Sequence, residues 1–467
     1  MIFETIKSEG LAHFSYVLGD ESAGVCAVID PRRDVDVYLD LADYYSVQIV
    51  YIMETHVHAD FVSGSLELAA RTGAPICVGA QGKYGFEHQP LADGETVEVG
   101  RFKLEVLQTP GHTPEHVCFL FSGGAGASAP WGLFSGDTLF AGEVGRPDLL
   151  GEGTEEPLAR KLFHSLRQKV LPLGDELILY PAHGEGSPCG ASIGERPTST
   201  IGYERQHNET LALEDEDAFV EKILAALSPA PAYYSRMKKI NAAGPAVLGA
   251  WPHLKPLTAG EFSQATAQAD TLVVDTREIV AFGGGHIEDA INVALRSFFP
   301  IWVGRMLSPE QRLLLVLADD SQADEALRHL LRVGYENVGG YLRQGMRGWT
   351  EAGRPFVPLS QMSVHELKRR IEQNNSELQV LDVRSDEEWQ QGHVPGAQHI
   401  YVPDLPRNLD KLDRRKPIVT YCGSGYRSSI AASLLQRHGF SQVFNLPGSM
   451  DAWQAADYPL EEEKNVS

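Results

Sequence analysis

Two stretches of this chain repeat one another, and that repetition constrains its architecture more than any other feature. Val274-Asp275-Thr276-Arg277 is echoed by Leu381-Asp382-Val383-Arg384, and Gly285-His286-Ile287-Glu288-Asp289-Ala290 by Gly392-His393-Val394-Pro395-Gly396-Ala397. Leu331-Arg332-Val333-Gly334-Tyr335 returns as Gln436-Arg437-His438-Gly439-Phe440, and Met346-Arg347-Gly348-Trp349 as Met450-Asp451-Ala452-Trp453. The four matches keep their order, with offsets running from 107 (Asp275 to Asp382) to 104 (Met346 to Met450). The chain therefore carries a duplicated module of about a hundred residues. Each copy reads strand, loop, strand, helix, as in an open parallel sheet.

Upstream of the duplication lies a different pattern. Short apolar runs such as Val25-Cys26-Ala27-Val28-Ile29-Asp30, Ala74-Pro75-Ile76-Cys77-Val78, Phe102-Lys103-Leu104-Glu105-Val106-Leu107 and Trp131-Gly132-Leu133-Phe134-Ser135-Gly136-Asp137 are separated by glycines. Helical patterns, as at Ser65 to Arg71 and Glu156 to Val170, lie between several of them. This alternation predicts a layered α/β domain. The Pro- and Ala-containing stretch from Ser228 to Pro256 reads as a helix end and linker. The chain of 467 residues is expected to divide into domains at 1–250, 258–355 and 358–462.

The formal charge of −23 argues against nucleic-acid or anionic-membrane partners, which would repel it. No apolar run reaches bilayer-spanning length, and Met1-Ile2-Phe3-Glu4-Thr5-Ile6-Lys7 lacks the pattern of a secretory signal. Five scattered cysteines suit free thiols in a reducing compartment, so a cytoplasmic location is expected. The sequence is compatible with a homo-oligomer.

Chemistry concentrates after the apolar runs. In Thr55-His56-Val57-His58-Ala59-Asp60-Phe61, alternate residues of an extended segment point the same way, so His56, His58 and Asp60 can converge beyond a strand end. Thr109-Pro110-Gly111-His112-Thr113-Pro114, Gly136-Asp137-Thr138 and Tyr180-Pro181-Ala182-His183-Gly184 add His112, Asp137 and His183 at further strand ends, where open sheets gather ligands. Imidazole and carboxylate together suit zinc or iron.

The order H-x-H-x-D, G-H-T-P, G-D, P-x-H-G resembles the metallo-β-lactamase fold family over roughly the first 200 residues. The resemblance implies an αββα sandwich with a metal at one edge. Two-metal hydrolases of that family, such as the glyoxalase II type, place a histidine where this chain has Phe61, which offers no ligand atom. The set left for one metal is His56, His112 and Asp137, the two-histidine, one-carboxylate composition of non-haem iron(II) oxygenases. It resembles the persulfide dioxygenases of this fold. That resemblance implies one iron(II) per chain in preference to zinc, with His58, Asp60 and His183 orienting the ligands. In Gly142-Glu143-Val144-Gly145-Arg146-Pro147-Asp148, Arg146 can clamp a thiol's carboxylate or phosphate or pair with Asp148.

In the second copy of the duplicated module, an apolar strand delivers a cysteine into Cys422-Gly423-Ser424-Gly425-Tyr426-Arg427-Ser428, and a helical pattern follows. Backbone N–H groups of Gly423, Ser424, Gly425 and Tyr426, with a helix N-terminus and Arg427, make a positive nest for anionic sulfur. The segment resembles the rhodanese family, and the C-x4-R spacing is one residue shorter than the C-x5-R loop of related phosphatases. This implies sulfane-sulfur transfer through a persulfide on Cys422, with Arg427 in a catalytic role. In the first copy Leu317-Ala318-Asp319-Asp320 occupies the loop position, so that copy is expected to be inactive. Cys189, six residues beyond His183, is a candidate sulfur relay.

Together these resemblances imply a fused persulfide dioxygenase and sulfurtransferase acting in sulfide detoxification. Its substrates would be a low-molecular-weight thiol persulfide (glutathione, coenzyme A or similar), O2, and sulfite or thiosulfate. The alternatives are a glyoxalase II-type thioester hydrolase with an accessory rhodanese, and a non-catalytic persulfide carrier or sensor.

Overall fold

The computed structural model describes residues 1–123, 129–151, 153–190, 192–373 and 377–462. They form two compact units: Met1–Pro252 together with Arg328–Gly334, and the remainder from His253.

The first unit contains two six-stranded sheets. One orders Ile2–Ser8, His13–Asp20, Val25–Ile29, Gln48–Met53, Ile76–Gly79 and Gln89–Leu91 side by side. The other orders Ser199–Thr200, Ile178–Pro181, Pro130–Gly136, Val117–Gly123, Phe102–Gln108 and Thr96–Val99. Side-chain alternation builds three apolar layers from them. Tyr16, Leu18, Ala27 and Ile29 of the first sheet meet Leu104, Val106, Phe119, Phe121 and Phe134 of the second in a shared core. The opposite-facing Val17, Cys26 and Val28 pack under Tyr38 and Ala42 of helix Asp36–Tyr45 and Leu68 of helix Ser65–Thr72. On the far side, Leu120, Leu133 and Leu179 pack under Ala159 and Leu162 of helix Glu155–Ser165 and Phe219 and Val220 of helix Glu216–Ala225. The expected αββα order is therefore present, because each sheet has two apolar faces and needs a helix layer outside.

The Ser228–Pro256 stretch, expected to be a helix end and linker, holds a whole helix. It contains helix Tyr234–Ala243, which buries Tyr234, Met237 and Asn241 and ends at Gly244 with a positive φ of 97°. The three buried residues recur at helical spacing behind prolines at 229 and 231, the signal that marks this helix in the sequence.

The second unit holds two five-stranded sheets of identical order and all-parallel pairing. The first runs Pro256–Leu257, Val338–Leu342, Arg312–Val316, Thr271–Asp275, Ile291–Asn292, and the second Ser360–Gln361, Val443–Asn445, Ile418–Tyr421, Gln379–Asp382, Gln398–His399. The repeated motifs do the same work in each copy. Arg277 grips Asp275 and the Gly285 carbonyl (2.8 Å), and Arg384 grips Asp382 and the Gly392 carbonyl (2.8 Å). His286 stacks on Phe282 and His393 on Trp389, with ring centroids 3.8 and 3.4 Å apart. Among the described residues, no helix is long and apolar enough to cross a membrane.

Candidate functional site

The metal-ligand candidates converge at one edge of the sandwich. His56 lies just beyond strand Gln48–Met53, His112 on the loop joining Phe102–Gln108 to Val117–Gly123, and Asp137 directly after Pro130–Gly136. All three are buried, and their potential ligand atoms lie within 4.8 Å of one another. His112 Nε2 is 3.3 Å, and His56 Nε2 3.8 Å, from Asp137 Oδ2. None of these three atoms has a hydrogen-bond partner. Three orphaned, inward-pointing donors are costly to bury unless a cation satisfies them, so this set fits a metal ion.

The remaining atoms of the set are anchored, which assigns the tautomers. His112 Nδ1 donates to the Arg146 carbonyl at 2.9 Å, leaving Nε2 as a lone pair. Thr55 Oγ1 donates to Asp30 Oδ2 (2.9 Å) and so accepts from His56 Nδ1 (2.9 Å), with the same result. Burial, reinforced for His56 by neighbouring imidazoles and opposed for His112 by Asp137, holds His56 well below the ordinary histidine range and His112 down to about 4. Both are neutral, as ligation requires. Burial alone would raise the Asp137 carboxyl, but His183 and His112 beside it hold it below the usual range.

His58, expected to orient ligands, turns away from that point. Its Nε2 lies 3.2 Å from Asp30 Oδ1 and 3.1 Å from Glu54 Oε2. Burial disfavours its cation, yet these two carboxylates outweigh it and push His58 up to about 10. His183 bridges the other two acids: Nδ1 is 2.8 Å from Asp137 Oδ1 and Nε2 is 2.9 Å from Asp60 Oδ2. With both nitrogens engaged, His183 acts as a strut between Asp60 and Asp137. Phe61 is fully buried against His13 and His58, at centroid distances of 4.1 and 4.6 Å.

Several participants are not singled out in the sequence reading. His116 accepts the Asp137 backbone N–H at 2.9 Å through Nε2, and burial takes its pKa down to about 3. Its spacing of four from His112 is its only sequence signal. Asn241, on helix Tyr234–Ala243, donates to the carbonyls of His58 (2.8 Å) and Phe61 (2.7 Å) and accepts from Ser63 N (2.9 Å). It fastens the ligand loop from outside. A side chain at Gly145 would collide with the Asp137 carbonyl, which explains the glycine before Arg146.

Arg146 is engaged within the protein. It forks onto Asp148 through two 2.7 Å bonds and donates to the carbonyls of Pro188 (2.9 Å) and Ser228 (2.6 Å). Of the two roles open to it, pairing with Asp148 is the one the structure displays. Cys189 is buried, and its Sγ, an Asp60 oxygen and a His183 nitrogen all lie within 4.8 Å of one another. Its thiol is 3.9 Å from the Tyr234 hydroxyl, and burial pushes it up to about 11.

In the second unit, strand Ile418–Tyr421 delivers Cys422 to a loop closed by helix Tyr426–Arg437. Gly425, at φ 109°, turns its N–H onto Cys422 Sγ at 3.2 Å. Ser428 Oγ lies 3.8 Å from the sulfur, and Ser449 Oγ accepts the Cys422 N–H. Arg427 is not a free cation: Nη1 and Nη2 fork onto Glu388 at 2.5 and 2.7 Å. Glu388 sits 39 residues away and has no sequence signature beyond its place in the Ser385 capping box. In the first copy, Asp319 instead caps a short 3₁₀ turn, and the position holds no thiol.

Comparison with known proteins agrees with this architecture. Residues 9–183 match the metallo-beta-lactamase superfamily, and 258–352 and 363–456 each match the rhodanese-like domain. "Persulfide dioxygenase ETHE1, mitochondrial" of Homo sapiens is 32% identical over 211 residues, covering 44% of this chain and 73% of the relative. A "Hydroxyacylglutathione hydrolase" of Methylococcus capsulatus is 36% identical over 166 residues, covering 34% of this chain and 58% of that protein. The crystal structure of a metallo-beta-lactamase from Staphylococcus aureus superposes with a TM-score of 0.67 at 34% identity, covering 73% of this chain and 99% of that one. The chain belongs to the metallo-β-lactamase superfamily as a homologue of the persulfide dioxygenases, fused to tandem rhodanese-like domains.

Proposed function

We propose that this protein oxidises a low-molecular-weight thiol persulfide with O2 and couples that reaction to sulfane-sulfur transfer at Cys422. Similarity to persulfide dioxygenases and to rhodanese-like domains supports a role in sulfur metabolism. Sequence identity alone does not choose between the dioxygenase and the thioester hydrolase, since both kinds of relative match the first domain. The choice rests on Phe61. The histidine that two-metal hydrolases use there is replaced by a buried aromatic ring, while the His56–His112–Asp137 set stays intact.

The balanced reaction is persulfide plus O2 plus water to thiol plus sulfite plus two protons. His56, His112 and Asp137 would hold one iron(II), which would supply the redox and Lewis-acid chemistry for reaction with O2. The protein keeps both imidazoles neutral, fixes their tautomers through Thr55 and the Arg146 carbonyl, and orients Asp137 through His183 and His116. Cys189 beside His183 is the residue best placed to carry sulfur near this centre.

At the second site the Cys422 thiolate attacks the sulfane sulfur of a donor. With thiosulfate, a Cys422–sulfur bond forms, the S–S bond breaks and sulfite leaves with the electron pair. In the opposite direction, sulfite takes the sulfur from Cys422 persulfide and thiosulfate leaves. Replacing Cys422 with Ser should abolish thiosulfate formation while sulfite release from glutathione persulfide continues. Unchanged thiosulfate output from Cys422→Ser would refute the role given to Cys422.

A further inference from the structure

The inactive rhodanese-like copy packs directly on the Cys422 loop. The Tyr426 hydroxyl donates to the Ala294 carbonyl at 2.8 Å, and Phe298 meets the Tyr426 ring edge-on with centroids 4.6 Å apart. Ile279 lies so close to Gly425 that a side chain there would have to displace it. Ser429 bonds Asn292 at 2.5 Å, tying the first turns of the Cys422 helix to the same copy. These contacts place the first copy at the mouth of the loop and are more specific than a spacer requires.

That mouth has an electrostatic deficit. An oxyanion approaching Cys422 finds Arg427 already neutralised by Glu388, and salt-bridged guanidinium groups attract a second anion weakly. A different cation stands on the first copy. Arg305 Nη1 donates to the Tyr401 hydroxyl at 3.1 Å, and among the described residues Arg305 has no carboxylate partner. Tyr401 is half-buried and lies within electrostatic reach of Arg305, Arg427 and Glu388 together. Tyr401 thus links Arg305 to the neighbourhood of the Arg427–Glu388 pair, and no carboxylate among the described residues compensates the Arg305 charge.

We propose that Arg305, contributed by the inactive copy and positioned by Tyr401, binds the sulfonate-type oxygens of the sulfur-oxyanion substrate, thiosulfate or sulfite, at Cys422. The proposal rests on the sulfur-transfer reading of that loop. It gives the first copy a reason to persist without a nucleophile: it completes the substrate site of the second. A fork of N–H donors matches a pyramidal oxyanion better than a point charge does, and recruiting it breaks no ion pair, because Arg305 has no carboxylate partner among the described residues.

The test is single-turnover persulfide formation at Cys422 in the full-length protein, followed as the mass of the Cys422 peptide over a range of thiosulfate concentrations. Arg305→Gln should raise half-saturating thiosulfate about tenfold or more, the loss of one charge-assisted contact, with the limiting rate within about twofold. Alkylation of Cys422 by neutral iodoacetamide should keep its wild-type rate, and Arg305→Lys should recover part of the thiosulfate affinity. An unchanged half-saturation in Arg305→Gln overturns the proposal, as does an equal loss in the iodoacetamide rate, which would reveal a collapsed loop. A wild type whose Cys422 is left unmodified by thiosulfate overturns the sulfur-transfer reading itself, and with it the proposal.

Discussion

The ring of Phe61 packs 4.6 Å from that of His58, and His58 in turn spends its Nε2 on Asp30 and Glu54. On the proposed reading, this one relationship sets the candidate metal site apart from a two-metal hydrolase site. The apolar ring fills the place of a ligand, and the neighbouring imidazole is held as a cation by two carboxylates instead of facing the His56–His112–Asp137 point.

Restoring the missing ligand type should therefore restore a second metal. Phe61→His places a ring nitrogen in the loop beside Asp60, which already meets His183. Metal analysis should rise from one towards two ions per chain. A ratio fixed at one would mean that the His183 strut, and not Phe61, excludes the second ion.

Asn241 is expected to be as important as a ligand without touching the metal. Asn241→Ala leaves the His58 and Phe61 carbonyls and the Ser63 N–H without their partner. Stripping a buried multi-bonded amide costs about 2 kcal/mol or more. Denaturant unfolding should show that loss, and iron affinity should fall because the loop that carries His56 is freed. A variant with wild-type stability and wild-type iron content would contradict this role.

Glu388 is expected to restrain sulfur transfer. Burial opposes its ionisation, but the Arg427 fork outweighs this and holds Glu388 below its ordinary 4.5. A carboxyl whose folded pKa is depressed keeps its pair at all pH above the unfolded value and loses it only as pH falls through the lower folded value. The pair is therefore intact at neutral pH, and substitution is the way to break it. Glu388→Gln should leave Arg427 free to face an anion and lower the KM for thiosulfate about threefold, measured as steady-state sulfur transfer to cyanide. A raised KM would show that Glu388 orients Arg427 productively.

Much of this site was legible in the sequence, for a physical reason. His56, His112 and Asp137 follow apolar strands, and strand ends in a layered sheet come together whatever the details of packing. The four ordered matches between the two repeated modules likewise announce two copies of one sheet, and the Asp-x-Arg and Gly-His motifs turn out to be one grip used twice. The partners were not legible. Glu388 for Arg427 and Asp30 for His58 are pairings across tertiary structure, which no local period encodes. Helix Tyr234–Ala243 was legible only as a helix end, although Tyr234, Met237 and Asn241 mark its whole buried face. The grouping of Arg328–Gly334 with the first unit is also a product of packing, not of chain order.

The central claim is that a single metal held by His56, His112 and Asp137 supports oxygen chemistry on a persulfide. It is tested most directly by oxygen uptake of anaerobically purified, iron-assayed protein on addition of glutathione persulfide. About one O2 should be consumed for each sulfite released, by wild type and not by Asp137→Asn, which removes the only carboxylate of the set. Zinc-containing protein that consumes no oxygen but cleaves a glutathione thioester would contradict the account.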